Sequence, residues 1–118
     1  MIKGIGIDIV STKRIKDQIH NQTFVKRILS AEEYKVFEQF QLENRKVEYL
    51  AGRFAAKEAI FKAIRKGSGD INYRDISVLN DETNAPYVIF DYLKSYQVHI
   101  TISHEDDYVV SFATIEKL

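Results

Sequence analysis

The longest periodic stretch of the chain, from about Asn44 to Arg65, predicts a single long helix. Val47, Leu50, Phe54 and Phe61 recur at steps of three, four and seven and form one apolar stripe. That stripe carries a conflict. Glu58 lies four residues after Phe54 and three before Phe61, so it stands among the apolar positions, with Lys62 four residues further on the same side. A carboxylate in a core-facing row needs a partner, a metal ion or a proton.

The segment Ile2 to Val10 reads as a strand. Ile5, Ile7 and Ile9 mark one face, while Gly4, Gly6 and Asp8 mark the other. Glycine weakens a strand, so a glycine-lined face points to close approach by another backbone or a ligand. Ser11 or Thr12 caps a following helix, STKRIKDQIH, with Ile15 and Ile19 as its apolar edge. A second helix opens at Ser30, where Glu33 holds the capping-box spacing and Tyr34, Phe37 and Phe40 supply the apolar face.

Beyond the long helix, Gly67, Ser68 and Gly69 predict a helix stop and a loop. Strands are expected at Ile76 to Leu79, Pro86 to Phe90, Gln97 to Ser103 and Tyr108 to Ile115. Asp91 to Tyr96 is open between a loop and a helical turn, and His104 to Asp107 is a connecting turn. Several strands follow one another without helices between them. The expected fold is therefore α+β, a single domain over 1–118 with a long central helix packed on a mainly antiparallel sheet.

Composition narrows the function classes. Seventeen basic and seventeen acidic residues leave a formal net charge of +0, so no global field favours nucleic acid. No cysteine is present, which excludes disulfides, thiolate metal sites and a cysteine nucleophile. No apolar run reaches the ~18 residues of a membrane span, and the N-terminus carries no signal-peptide pattern. A cytoplasmic protein is the expectation.

Four groups of residues can carry chemistry. Asp8 and Glu58 converge if the long helix packs on the opening strand, and such a pair suits magnesium. An intrahelical ion pair with Lys62 satisfies Glu58 equally well, and from spacing alone it is the commoner explanation. Arg53, Lys57 and Lys62 could hold a polyphosphate, or could line a solvated helix face. Ser103 and His104 are adjacent on a strand and so point to opposite faces, which argues against nucleophile and base and leaves ligand contact or a structural role. Arg14 sits in a local excess of five basic residues to one acidic, Lys13, Arg14, Lys16, Lys26 and Arg27 against Asp17, suited to an acidic partner or to ordinary surface charge.

Three separated segments together resemble the holo-acyl-carrier-protein synthases, the short trimeric type of phosphopantetheinyl transferase. They are GIGIDIV with Asp8, RFAAKEAIFKAI with Lys57 and Glu58, and Ser103-His104 followed by Tyr108 and VVSFATIE. The resemblance runs from Met1 to Glu116. It implies transfer of the phosphopantetheine arm of coenzyme A to a serine of apo acyl carrier protein, releasing adenosine bisphosphate, with sites between the subunits of a homotrimer. It implies Asp8 and Glu58 as magnesium ligands and Lys62 as a contact to coenzyme A phosphate. Arg53, Ser103 and His104 become further coenzyme A contacts, and Arg14 part of the surface that docks the carrier.

Two positions depart from the family pattern. Arg65 stands where relatives commonly carry glycine, and Asn84-Ala85-Pro86 stands where they often show Gly-Lys-Pro. The residues alone also accommodate a non-catalytic module that binds coenzyme A or carrier protein, or a metal-dependent phosphodiesterase.

Overall fold

The computed structural model describes residues 1–65 and 71–118, so the expected Gly67-Ser68-Gly69 loop lies outside the described residues. The chain opens with strand β1 (Ile2–Ser11), followed by helices α1 (Thr12–Lys16), α2 (Gln22–Ile28), α3 (Ala31–Gln39) and α4 (Glu43–Ile64). Strands β2 (Ser77–Asn80), β3 (Pro86–Ile89), β4 (Tyr96–His104) and β5 (Tyr108–Lys117) complete it. Single 3-10 turns lie at Tyr73–Asp75 and Asp91–Leu93.

The strands form two antiparallel sheets, one in the order β1-β5-β4 and one of β2 with β3. The α+β expectation holds, with α4 laid along the larger sheet. The expected elements reappear with shifted ends: the long helix runs from Glu43, the turn in Asp91 to Tyr96 is a 3-10 turn, and the last two strands each run on by one or more residues. Helix α2 was not among the sequence expectations. It has seven residues and buries only Val25 and Ile28, too little for periodicity to mark it.

Glycine explains how α4 seats itself on β1. Gly4 and Gly6 are buried beneath the helix, and a Cβ at either would collide with the carbonyl oxygen of Ala63 or Ala59 respectively. Small residues on both sides, Ala59 and Ala63 against Gly4 and Gly6, let the two backbones touch. The opposite face of β1 stays open, with Ile5, Ile7 and Ile9 each more than half exposed. Ile7 pairs across the ladder with Phe112 of β5, which is also exposed.

Two clusters make the core. One gathers Ile15, Val25, Ile28, Phe37 and Leu50 around the first half of α4, and the other gathers Ile60, Ile76, Val78 and Ile115 around its second half. A buried ion pair ties the helices together. Lys57 on α4 donates to the carboxylate of Glu33 on α3 and to the carbonyl of Ile28 at 2.7 Å, and both side chains are fully buried. Glu33 in turn closes the capping box with Ser30 and accepts from the amide of Val78 at 2.7 Å, so one carboxylate joins α3, α4 and β2. Lys57 is thus no part of a solvated helix face.

Candidate active site

The glycine face of β1 continues into Asp8, two residues past Gly6 and half-buried beside α4. Lys62, on the last turn of α4, reaches across to it. Its Nζ donates to the Ile7 carbonyl at 3.0 Å and to Asp8 Oδ1 at 3.1 Å. Lys62 therefore pairs with the strand carboxylate and not, among the described residues, with Glu58. The intrahelical pair that spacing allowed is replaced by one that spans 54 residues of sequence.

Glu58 is left for a different partner. Its Oε1 accepts a hydrogen bond from the hydroxyl of Tyr73, in the 3-10 turn that follows α4. The Tyr73 ring is held between Phe54 and Phe61, with centroids 5.6 and 5.2 Å away. Burial pushes the Tyr73 hydroxyl well above the usual phenol range, and the bond to Glu58 and the charges of Glu58 and Asp8 push it further, while Arg27 opposes them. The hydroxyl is a firm donor. Glu58 lies one turn of α4 before Lys62, which is bonded to Asp8 across the seam with β1.

The first half of α4 lines a separate cleft of about 440 Å³. Arg45, Tyr49 and Arg53 face it from the helix, Asn84 from the β2–β3 turn, and Ile102 and His104 from β4. Arg53 is buried. Its guanidinium donates to the Val78 carbonyl at 2.9 Å and to Asn80 Oδ1 at 3.0 Å, and it lies 4.2 Å from the centre of the Tyr49 ring. His104 lies 3.8 Å from Glu48. Arg53 and His104 thus meet in one cleft, whereas Ser103 points to the other face of β4 and is not among the residues lining it. Five residues along α4 separate Arg53 from Glu58, roughly 8 Å of helix rise.

A third hollow, of about 420 Å³, lies over α1 and α2. Arg14 and Arg27 stand at it with Phe24 and Phe54. Arg14 is exposed, at the start of a helix capped by the Ser11 hydroxyl. Thr12 anchors the same helix to the acidic β4–β5 turn, bonding the Asp107 carbonyl through its amide and the Asp106 carbonyl through its hydroxyl.

Sequence reasoning missed Tyr73 and Arg45 at these places. Arg45 was within reach, since it lies eight residues before Arg53 and so shares its helix face. Tyr73 carries no periodic signal, because it sits in a single turn whose position depends on the tertiary fold.

An open-faced three-stranded sheet with one long helix seated on its glycines is the architecture of solved holo-(acyl-carrier-protein) synthases. The chain belongs to the 4'-phosphopantetheinyl transferase superfamily, whose sequence model matches residues 4–113, and within it to the holo-acyl-carrier-protein synthases. It is 45% identical over 116 residues to the holo-[acyl-carrier-protein] synthase of Acholeplasma laidlawii, covering 98% of both chains. Against that of Geobacillus sp. (strain WCH70) identity is 47% over 121 residues, covering 100% of this chain and 99% of the other. Among solved structures, a holo-(acyl-carrier-protein) synthase from Bacillus anthracis in complex with CoA (3',5'-ADP) superposes with a TM-score of 0.91 at 38% identity, covering 100% of this chain and 99% of that one. The Helicobacter pylori synthase in complex with coenzyme A gives a TM-score of 0.82 at 30% identity, covering 95% and 99%.

Proposed function

We propose that this chain, acting over 1–118 as one transferase domain, moves the phosphopantetheine arm of coenzyme A onto a serine of apo acyl carrier protein. The observation that carries the reading is the bond from Lys62 to Asp8 across the β1–α4 seam, with Glu58 one helical turn before Lys62. Asp8 and Glu58 would hold magnesium. The donor set suits that ion, which takes one or two carboxylates and fills its shell with water and substrate phosphate. When bound, magnesium supplies charge neutralisation at the diphosphate.

The reaction is a phosphoryl transfer without a covalent enzyme intermediate. The carrier serine oxygen bonds to the phosphorus that bears the pantetheine arm. The bond from that phosphorus to the bridging oxygen breaks, adenosine bisphosphate leaves with that oxygen, and the serine proton is released. Lys62 stabilises the charge that develops on the diphosphate, from a position fixed by Asp8 and the Ile7 carbonyl. Arg53 and His104 hold the nucleotide in the α4–β4 cleft. Ser103 is assigned to coenzyme A on the family resemblance alone.

Arg14 and the hollow over α1 and α2 receive the carrier, with cations at the rim and Phe24 and Phe54 inside. The open isoleucine face of β1 is covered by further copies of this chain in a homotrimer, an exposed apolar sheet being an assembly surface. Sedimentation should then return the mass of three chains, and Ile7→Glu should return one. We place the protein in the cytoplasm; no helix among the described residues is long and apolar enough to cross a membrane.

The test is the intact mass of apo acyl carrier protein after incubation with this protein, coenzyme A and magnesium. A phosphopantetheine gain that a chelator abolishes is expected, and it should vanish in Asp8→Ala and Glu58→Gln. Binding of coenzyme A without any mass gain would favour the non-catalytic module.

A further inference from the structure

Neither sequence pattern nor family resemblance pointed to Tyr73, the partner of Glu58. Two restraints fix Tyr73, one on its ring and one on its backbone. Its ring is clamped between Phe54 and Phe61 of α4. Its main-chain carbonyl accepts from Lys57 Nζ at 3.0 Å. Lys57 is itself immobilised by Glu33 and the Ile28 carbonyl, with no exposed side-chain surface. A phenol held by both its ring and its backbone cannot follow a moving partner, so it dictates where the partner sits. The partner is Glu58, whose Oε1 takes the phenolic hydrogen bond.

We propose that Tyr73 is a positioning residue for the metal pair. It holds one oxygen of Glu58 so that the other is presented toward Asp8, and the buried Lys57–Glu33 pair is the anchor that sets its place. The inference rests on the reading that Asp8 and Glu58 hold magnesium. Glu58 stands on a helix side that offers it no ion-pair partner among the described residues, since Lys62 is engaged by Asp8. Without the phenol, its carboxylate would swing among several rotamers, and part of the binding free energy would go into ordering it. A hydrogen bond from outside the ligand set removes that freedom beforehand.

Tyr73→Phe keeps the ring and its contacts and removes only the hydroxyl. Magnesium is titrated calorimetrically into wild type, Tyr73→Phe and Glu58→Gln, each with coenzyme A present, and carrier modification is followed over the same magnesium range. Tyr73→Phe should bind magnesium about tenfold more weakly. The half-maximal rate should move to a magnesium concentration higher by the same factor. Raising magnesium should recover the rate lost at low magnesium, a dependence that simple loss of folding would not produce. Unchanged or tighter magnesium binding by Tyr73→Phe, beside a clear loss in Glu58→Gln, would overturn the inference and leave the metal site standing. Wild-type magnesium binding by Glu58→Gln would remove the metal reading, and the inference with it.

Discussion

Lys57 and Lys62 stand five residues apart on one helix and occupy opposite surroundings. Lys57 has no exposed side-chain surface and bonds only to protein: Glu33, Ile28 and Tyr73. The Lys62 side chain is 56% exposed and its carboxylate partner, Asp8, is one the substrate and metal would share. Burial pulls the Lys57 ammonium below the usual lysine range, while the Glu33 carboxylate opposes that. The lesson is that adjacent charges in one motif need not share a purpose. Helix geometry turns one lysine into the middle of the protein and the other out over β1, so the first is spent on the fold and the second lies half-exposed beside Asp8.

Substitution at each lysine separates the two roles. Lys57→Met leaves Glu33 buried and uncompensated, and should cost about 3–5 kcal/mol in urea unfolding. Glu33→Gln added to Lys57→Met should restore part of that loss, because no uncompensated charge then remains buried. Lys62→Ala should slow carrier modification about 10²–10³-fold while leaving the urea midpoint in place. A comparable stability loss in Lys62→Ala would erase the distinction.

Smaller effects sharpen the picture along α4. Burial pushes the Tyr49 hydroxyl up to about 12, partly opposed by Arg53. An acid whose folded value is raised favours the folded state below its unfolded value and loses that advantage as pH rises. Stability should therefore fall by about 2 kcal/mol between pH ~10 and ~12, and Tyr49→Phe should flatten that slope in urea melts taken across the window. Smallest is Arg65, which closes α4 with φ 64° in the left-handed region. Arg65→Gly should raise stability by about 1 kcal/mol, and a lower melting temperature would contradict it.

Arg65 also shows how far the sequence could be read. The two departures from the family pattern, at Arg65 and at Asn84, are the two positive-φ residues other than glycine among the described residues. Glycine is expected there because it alone enters that region without cost. The departures are thus local strain, and the surrounding fold is retained. Asn84 tolerates its conformation better and is steadied by Asn80 Nδ2 at 3.2 Å.

The periods of β1 and α4 made the strand, the helix and their close contact legible. The partners of the charged groups were not legible. Lys57 finds Glu33 across 24 residues, and Glu58 finds Tyr73 across 15. Such pairings follow from how α3 and the Tyr73 turn dock on α4, which no local window encodes. Ser103 and His104 were separated correctly by strand alternation, and only His104 enters the cleft.

The contact of Gly4 and Gly6 with the carbonyls of α4 leaves no clearance between strand and helix. That contact works as a spacer of zero thickness for the two carboxylates just beyond it. A single added carbon at Gly6 would tilt α4 outward and widen the gap between Asp8 and Glu58. The clearance between Asp8 and α4 is therefore written two residues upstream of Asp8, in an atom that glycine lacks.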